Sequence, residues 1–291
     1  MRTYDIPKEK FTEAFEKVKA NKGSYGVDGV TVKHYEAELE KRLYKVWNRM
    51  SSGSYFPKAV RKVEIPKADG KKRTLGIPTI EDRVAQTVVR DMIEERLEAI
   101  FSSNSYGYRR GKSQHMAVEE ARRNCWQYDY VLDLDIKGFF DNINHELMMK
   151  AVEYHIEEKW IKQSIERWLK SPYEGEAARS KGTPQGGVIS PILANLYLHY
   201  ALDKWLEREY PKVKFERYAD DMILHCKTAE EAEELKEAIE KRLSECELEL
   251  NQEKSQISYC QDEKRRKRYP KSEFHIFRIY VQRARGENTG K

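Results

Sequence analysis

The chain has four cysteines, and they stand far apart, at Cys125, Cys226, Cys246 and Cys260. Without a C-x-x-C pair, neither a zinc site nor a disulfide framework is expected to organise the fold. No apolar run approaches the ~20 residues that span a bilayer. The chain opens Met1-Arg2-Thr3-Tyr4-Asp5 with no apolar stretch of the secretory kind behind it. These absences predict a reducing, cytoplasmic setting and no membrane partner. No internal repeat is present. Charge of one sign is not in large excess either: 54 Lys and Arg face 49 Asp and Glu, a formal net charge of +5.

Hydrophobic residues make up 39% of the 291 and charged residues 35%. That supplies a core for one large domain or for two sub-domains sharing one, beneath a densely charged surface. The positive charge is concentrated. Lys58, Arg61, Lys62, Lys67, Lys71, Lys72 and Arg73 crowd one region, and Lys264, Arg265, Arg266, Lys267, Arg268 and Lys271 another. Local basic clusters on a near-balanced chain point to a polyanionic partner, and 18 Tyr and 5 Trp offer stacking surfaces.

Apolar spacing predicts helices over 8–20 (Phe11, Phe15, Val18), 32–50 (Leu39, Leu43, Val46, Trp47), 81–101 (Val84, Val88, Met92, Leu97), 147–169 (Trp160, Ile161, Ile165, Trp168) and 229–247. The acidic face of the last is a solvated face. Ser113 is placed as the cap of a helix reaching Asn124, and Ser190-Pro191 as the cap and first residue of one running on through Trp205. Residues 55–79 read as a basic β-hairpin turning at Lys67-Ala68-Asp69-Gly70, either a solvated hairpin or a flap over nucleotide phosphates. The glycine-spaced loop Asn21-Lys22-Gly23-Ser24-Tyr25-Gly26-Val27-Asp28-Gly29 is either a connector or a loop lying on a phosphate chain. Tyr108, Arg109, Arg110 and Lys112 combine an aromatic with cations, as contact with nucleic acid requires. Strands are expected at 256–259 and 274–281.

Two stretches carry paired carboxylates. In Val131-Leu132-Asp133-Leu134-Asp135-Ile136, alternation puts Leu132, Leu134 and Ile136 on one face and Asp133 and Asp135 on the other. The acids belong either to an exposed face or to a strand end that presents a metal. Tyr218-Ala219-Asp220-Asp221, between Val213–Arg217 and Met222–Leu224, reads as a hairpin with two acids at its tip. Such a pair is either a solvated turn or a divalent-metal site, because adjacent carboxylates repel unless a cation lies between them. Gly182-Thr183-Pro184-Gln185-Gly186-Gly187 is a glycine-rich loop opening a buried helix, and Gln185 is its one side chain able to bond a base or sugar edge.

Taken in order, the Asp135 strand with Phe140 beyond it, the Thr183–Pro191 loop, the Tyr218–Asp221 hairpin and Lys254 resemble the palm of reverse transcriptases. The Ile65–Thr79 hairpin, Phe101–Arg109 and Asp135–Ile143 are similar to bacterial group II intron-encoded reverse transcriptases (maturases), a resemblance covering residues 8 to about 260. It implies an α+β fold of right-hand polymerase type with a small antiparallel palm sheet flanked by helices and no thumb within this chain: a fingers extension over 1–50, fingers over 51–112 and palm over 113–291, with the helix at 80–101 between them. It implies RNA-directed DNA synthesis from dNTPs on an RNA template and DNA primer, with binding of group II intron RNA. Two Mg²⁺ ions, replaceable by Mn²⁺, are expected on Asp135, Asp220, Asp221 and the Ile136 carbonyl. The backbone over Lys137, Gly138, Phe139 and Phe140, with Lys67 and Arg73, is expected to hold the triphosphate. Phe140, or Phe139 if the bend shifts by one residue, excludes a ribose 2′-hydroxyl, which disfavours an RNA-dependent RNA polymerase. Gln185 contacts the incoming nucleotide. Lys254 protonates the leaving pyrophosphate or is a surface lysine. The competing reading is an RNA-binding maturase module with weak or no polymerisation; homodimerisation stays open. The chain departs from the family's Phe-x-Phe-Leu-Gly-Tyr pattern at Phe274–Tyr280, where Arg278 stands at the glycine position.

Overall fold

The computed structural model describes residues 4–66, 70, 72–261, 265, 275–276 and 279–280. In chain order the elements are α1 (Glu9–Ala20), α2 (Val32–Glu36), α3 (Leu39–Ser51), β1 (Arg61–Pro66), β2 (Lys72–Ile77), α4 (Ile80–Glu98), α5 (Gln114–Cys125), β3 (Tyr130–Asp135), α6 (Phe139–Asn142), α7 (His145–His155) and α8 (Lys159–Lys170). They continue with α9 (Ser190–Leu198), a π-helical turn (His199–Asp203), α10 (Lys204–Glu209), β4 (Lys214–Tyr218), β5 (Asp221–Cys226), α11 (Ala229–Glu245), β6 (Gln256–Tyr259), β7 (His275–Ile276) and β8 (Ile279–Tyr280). The architecture is α+β, as expected. Among the described residues no helix is long and apolar enough to cross a membrane. The chain packs as two compact units, Met1–Ile100 with Phe140–Tyr197 and Phe101–Phe139 with Leu198–Lys291. Residues 140–197 therefore pack with the N-terminal hundred.

In the first unit α4 is the central element. Ile80, Val84, Ala85, Val88, Val89, Ile93 and Leu97 are wholly buried along it, and α1 packs against it. Its start is fixed by a reciprocal cap. The Thr79 hydroxyl accepts from the Asp82 amide and donates to the Asp82 carboxylate, which also accepts from the Tyr55 hydroxyl at 2.6 Å. Strands β1 and β2 form the expected antiparallel hairpin, from Arg61 opposite Ile77 to Pro66 opposite Lys72. Most of β1 is exposed.

Two expected helices are each broken in two. Residues 32–50 divide at Glu38, whose backbone leaves the helical region (φ −124°, ψ 33°) and whose carboxylate takes Arg42 at 2.6 Å. The segment 147–169 starts earlier, at His145, and divides at Ile156, which is extended (φ −117°, ψ 117°). The i, i+4, i+8 run Val152, Ile156, Trp160 keeps the apolar spacing across that break, so periodicity alone could not reveal it.

The second unit is built on an antiparallel sheet of order β4-β5-β3-β6. Pairing of Leu132 with Leu224, Leu134 with Met222, and Asp135 with Asp221 fixes two faces. One carries Leu132, Leu134, Met222 and Leu224, with α11 packed on the sheet through Ala232, Leu235, Ile239 and Leu243. The other carries Asp133, Asp135 and Asp221 at one end and Val131 and Ile223 behind them, beneath Ala117 and Ala121 of α5. The expected alternation holds, but the acidic face is not a solvent face: the helix capped by Ser113 covers its rear. A buried chain runs through that rear, with Glu216 accepting from Asn124 at 2.6 Å and pairing with His225 at 2.7 Å. The helix expected to continue to Trp205 changes pitch at His199–Asp203 before α10. In the C-terminal segment, β7 and β8 pair with each other antiparallel, correcting the single strand expected over 274–281. Phe274, Phe277, Arg278 and Val281 lie outside the described residues, as do most of the basic run at 264–271 and the hairpin residues Lys67 and Lys71.

Candidate active site

The three acids singled out by sequence belong to one sheet. Asp135 ends β3 directly opposite Asp221, the first residue of β5, and Asp220 sits in the turn between β4 and β5. Cross-strand partners in an antiparallel ladder stand about 4.5–5.5 Å apart at Cα, so like charges there oppose each other. The structure shows the consequence at a residue the sequence reading did not select. Asp133, two positions behind Asp135 on the same face, has its carboxyl pushed up to about 7, by burial first and then by Asp221 and Asp135. Its period-two spacing from Asp135 was the available signal.

Asp135 is held on three sides. Its amide donates to the Ser255 hydroxyl at 3.3 Å, its carbonyl accepts from the Asn251 amide at 2.8 Å, and its carboxylate accepts from Lys254 Nζ at 3.1 Å. The turn carrying Lys254 is thus anchored on the strand end it faces. Ile136 is buried and bridges to Leu250. The Lys137 amide, expected among the triphosphate ligands, donates instead to the Glu249 carbonyl at 2.9 Å, and its ammonium pairs with the Glu249 carboxylate at 3.0 Å. Gly138 turns the chain into α6 in the left-handed region (φ 56°). Phe139 and Phe140 are both buried.

The Gln185 loop, in the first unit, is fastened at both ends. Gly182 and Thr183 amides donate to the carbonyls of Ile143 and Phe140, each at 2.7 Å. The Gly76 amide of β2 donates to the Gln185 carbonyl at 2.7 Å, and Gly186 (φ 116°) lies so close to the Gly76 carbonyl that a side chain would collide. Ser190 is the first helical residue of α9, not the cap expected. Its hydroxyl donates back to the Pro184 carbonyl at 2.9 Å. Gln86, buried in α4, accepts from the Val188 amide at 2.8 Å; the sequence did not mark it out. The loop meets the basic hairpin through Arg73 Nε, which donates to Gln185 Oε1 at 2.5 Å. Two of the expected nucleotide ligands are therefore together.

The expected nucleic-acid residues divide by environment. Tyr25 is exposed, with the Arg61 guanidinium 4.3 Å from its ring centroid. Asn21 borders an open cavity of about 310 Å³ that is also lined by Lys17, Arg83 and Arg90. Lys22 is exposed and Gly23 lies against the Arg83 side chain. Tyr108 and Arg110 are exposed. Arg109 instead donates to the Ser102 and Ser105 carbonyls, and Lys112 to the Ser103 carbonyl at 2.9 Å; both fold the 102–106 segment.

Among the described residues no three His, Cys, Asp or Glu side chains form a ready-made metal cage. The donors present are carboxylate oxygens, with Asp135 and Asp221 opposed and Asp133 driven towards its neutral form. That set suits a hard cation that completes its shell with phosphate and water, as Mg²⁺ does.

Residues 65–277 match the family model described as reverse transcriptase (RNA-dependent DNA polymerase), and the chain belongs to that family. Its relatives narrow the branch to group II intron-encoded proteins. LtrA of Lactococcus lactis subsp. cremoris is 35% identical over 214 residues, 72% of this chain and 35% of LtrA. Protein YkfC of Escherichia coli (strain K12) is 31% identical over 286 residues, 84% of this chain and 75% of YkfC. The chain thus spans about a third of LtrA. A solved telomerase from Candida albicans, in complex with a fragment of telomeric RNA, superposes with TM-score 0.59 at 13% identity, over 86% of this chain and 48% of that one. Apo telomerase from Candida tropicalis gives 0.57 at 15% identity, over 77% and 52%. At those identities the likeness is one of fold. Divalent metal ions are general in the reverse transcriptase family.

Proposed function

We propose that the chain is an RNA-directed DNA polymerase that adds dNTPs to a primer 3′-hydroxyl on an RNA template. The register that sets Asp135 opposite Asp221, with Asp220 in the adjoining turn, carries this reading. Two Mg²⁺ ions on Asp135, Asp220, Asp221 and the Ile136 carbonyl would neutralise phosphate charge and activate the attacking oxygen. Arg73 binds the triphosphate, and through its hydrogen bond it orients Gln185 towards the nucleotide. Phe140 supplies the bulk that excludes a 2′-hydroxyl. Lys254, which donates to Asp135 at 3.1 Å, would supply the proton to the leaving pyrophosphate. The fingers, palm and Lys67 assignments belong to the same proposal.

Asp220→Asn is expected to abolish Mg²⁺-dependent dNTP incorporation while thermal unfolding stays cooperative; full activity in that variant would remove the mechanism. Binding of intron RNA is a second, compatible role. The exposed Tyr25, with the half-buried Arg61 against its ring, favours it, because an aromatic ring beside a guanidinium offers stacking and phosphate contact.

A further inference from the structure

The turn that presents Asp220 contains a conformation that L-residues avoid. Ala219 lies in the left-handed region (φ 57°) although it is not glycine, a conformation that its Cβ disfavours. Such a residue persists only where its neighbours over-determine it. On one side, Gly107 lies against the Tyr218–Ala219 peptide, in a space where any side chain would collide. On the other side stands Arg217, whose side chain is completely buried.

The Arg217 guanidinium makes three identified bonds. Nε and Nη2 donate to the two carboxylate oxygens of Asp203 at 2.7 and 2.6 Å, and Nη1 donates to the Ala219 carbonyl at 3.0 Å. Asp203 closes the π-helical turn and is itself fully buried. The backbone of Arg217 is pinned as well: its amide donates to the Asn104 carbonyl and its carbonyl accepts from the Tyr106 amide, both at 2.8 Å. A buried Arg–Asp pair is seldom better for stability than apolar packing of equal volume. The third bond gives it another use. The Ala219 carbonyl belongs to the peptide that leads into Asp220, so fixing that oxygen fixes the plane from which the Asp220 side chain departs.

We propose that Arg217, locked in orientation by Asp203, is a positioning residue for the metal-binding turn and sets where the Asp220 carboxylate stands relative to Asp221 and Asp135. The proposal rests on the reading of those acids as metal ligands. Groups that orient metal ligands typically account for roughly 10–100-fold in metal affinity or activity. Lysine keeps the charge opposite Asp203 but cannot reach both the carboxylate fork and the Ala219 carbonyl.

The test is primer extension on poly(rA)–oligo(dT) by the 291-residue chain as a function of Mg²⁺ concentration, with thermal unfolding of each variant alongside. Arg217→Lys is expected to unfold cooperatively and to need roughly 10–100-fold more Mg²⁺ for half-maximal rate. Should that variant not fold, the double replacement Arg217→Met with Asp203→Leu restores an apolar interior, and the same Mg²⁺ shift is expected of it. A folded variant with unchanged Mg²⁺ dependence would overturn the proposal, and so would failure of both to fold, since the pair would then be a requirement of the core. Asp220→Asn separates the two levels. If it keeps Mg²⁺-dependent extension, the metal reading itself fails; if it is inactive while Arg217→Lys behaves as the unaltered chain, only the positioning role fails.

Discussion

Phe139 is 1% exposed and Phe140 7%, and the two adjacent rings leave α6 from neighbouring positions. Phe139 ranks among the largest fully buried side chains, so its removal leaves a cavity that should cost about 3–5 kcal/mol. Phe140 is slightly more exposed than Phe139, and it is the residue proposed to screen the sugar. Phe140→Ala is therefore expected to raise kcat/KM for ribonucleotides relative to dNTPs by roughly 10–200-fold, the range one altered pocket contact provides. Phe139→Ala should lower the melting temperature without changing sugar choice. The check is single-nucleotide extension with paired rNTP and dNTP substrates. Relaxed sugar choice in Phe139→Ala alone would shift the assignment by one residue. At this scale the sequence singled out side chains by their chemistry and spacing, as at Asp135, Asp220 and Gln185. It was silent on Arg217 and Gln86, because whether a polar side chain is buried depends on what the fold brings over it.

At the scale of elements, strand periodicity was the more dependable guide. The alternation around Asp133 and Asp135 matches the faces of β3, because a pleat fixes side-chain direction whatever lies nearby. Helix ends were less legible. Ile156 continues the apolar spacing while its backbone is extended, and the π-helical turn at His199–Asp203 interrupts a segment expected to be one helix; both depend on tertiary partners. That turn also carries a pH dependence. His199 packs edge-on to Phe101, with ring centroids 5.8 Å apart. Its pKa is pushed down from 6.5 to about 4 by burial, with Lys204 and Arg217 adding to the effect and Asp203 and Glu207 opposing it. The unfolded chain takes up this proton first as pH falls. The stability that neutral His199 contributes is complete above about pH 6.5 and is lost as pH falls from there through about 4. The loss is on the order of 3 kcal/mol. His199→Phe should flatten the dependence of melting temperature on pH across that window, and parallel profiles for the two proteins would dismiss the assignment.

For the whole molecule, the order of acids and glycine-rich loop along the chain pointed to the family, while the interleaving of two discontinuous units did not show in composition. Composition does not mark residues 140–197 as returning to the N-terminal hundred, and only tertiary packing reveals it. Charge behaves in the same way. A net charge of +5 is too small to drive polyanion binding on its own, so nucleic-acid affinity has to come from local surfaces. In the first unit the surface with the needed chemistry is Tyr25 with Arg61 above it, whose Nη2 is held by the Ser24 hydroxyl at 2.8 Å. An aromatic–base stack is worth about 1–3 kcal/mol, and each phosphate contact adds roughly one unit to the salt dependence of binding. Tyr25→Ala should therefore weaken RNA binding by roughly 5–150-fold at every salt concentration. Arg61→Ala should weaken it and also reduce the slope of log affinity against log salt by about one. Neither should alter the Mg²⁺ concentration for half-maximal primer extension, because neither residue belongs to the sheet that carries the carboxylates. Fluorescence anisotropy with a labelled structured RNA, titrated at several salt concentrations, distinguishes the two effects. Unchanged affinity in both variants would place the RNA surface elsewhere, and a shifted Mg²⁺ midpoint would tie this loop to the polymerase chemistry.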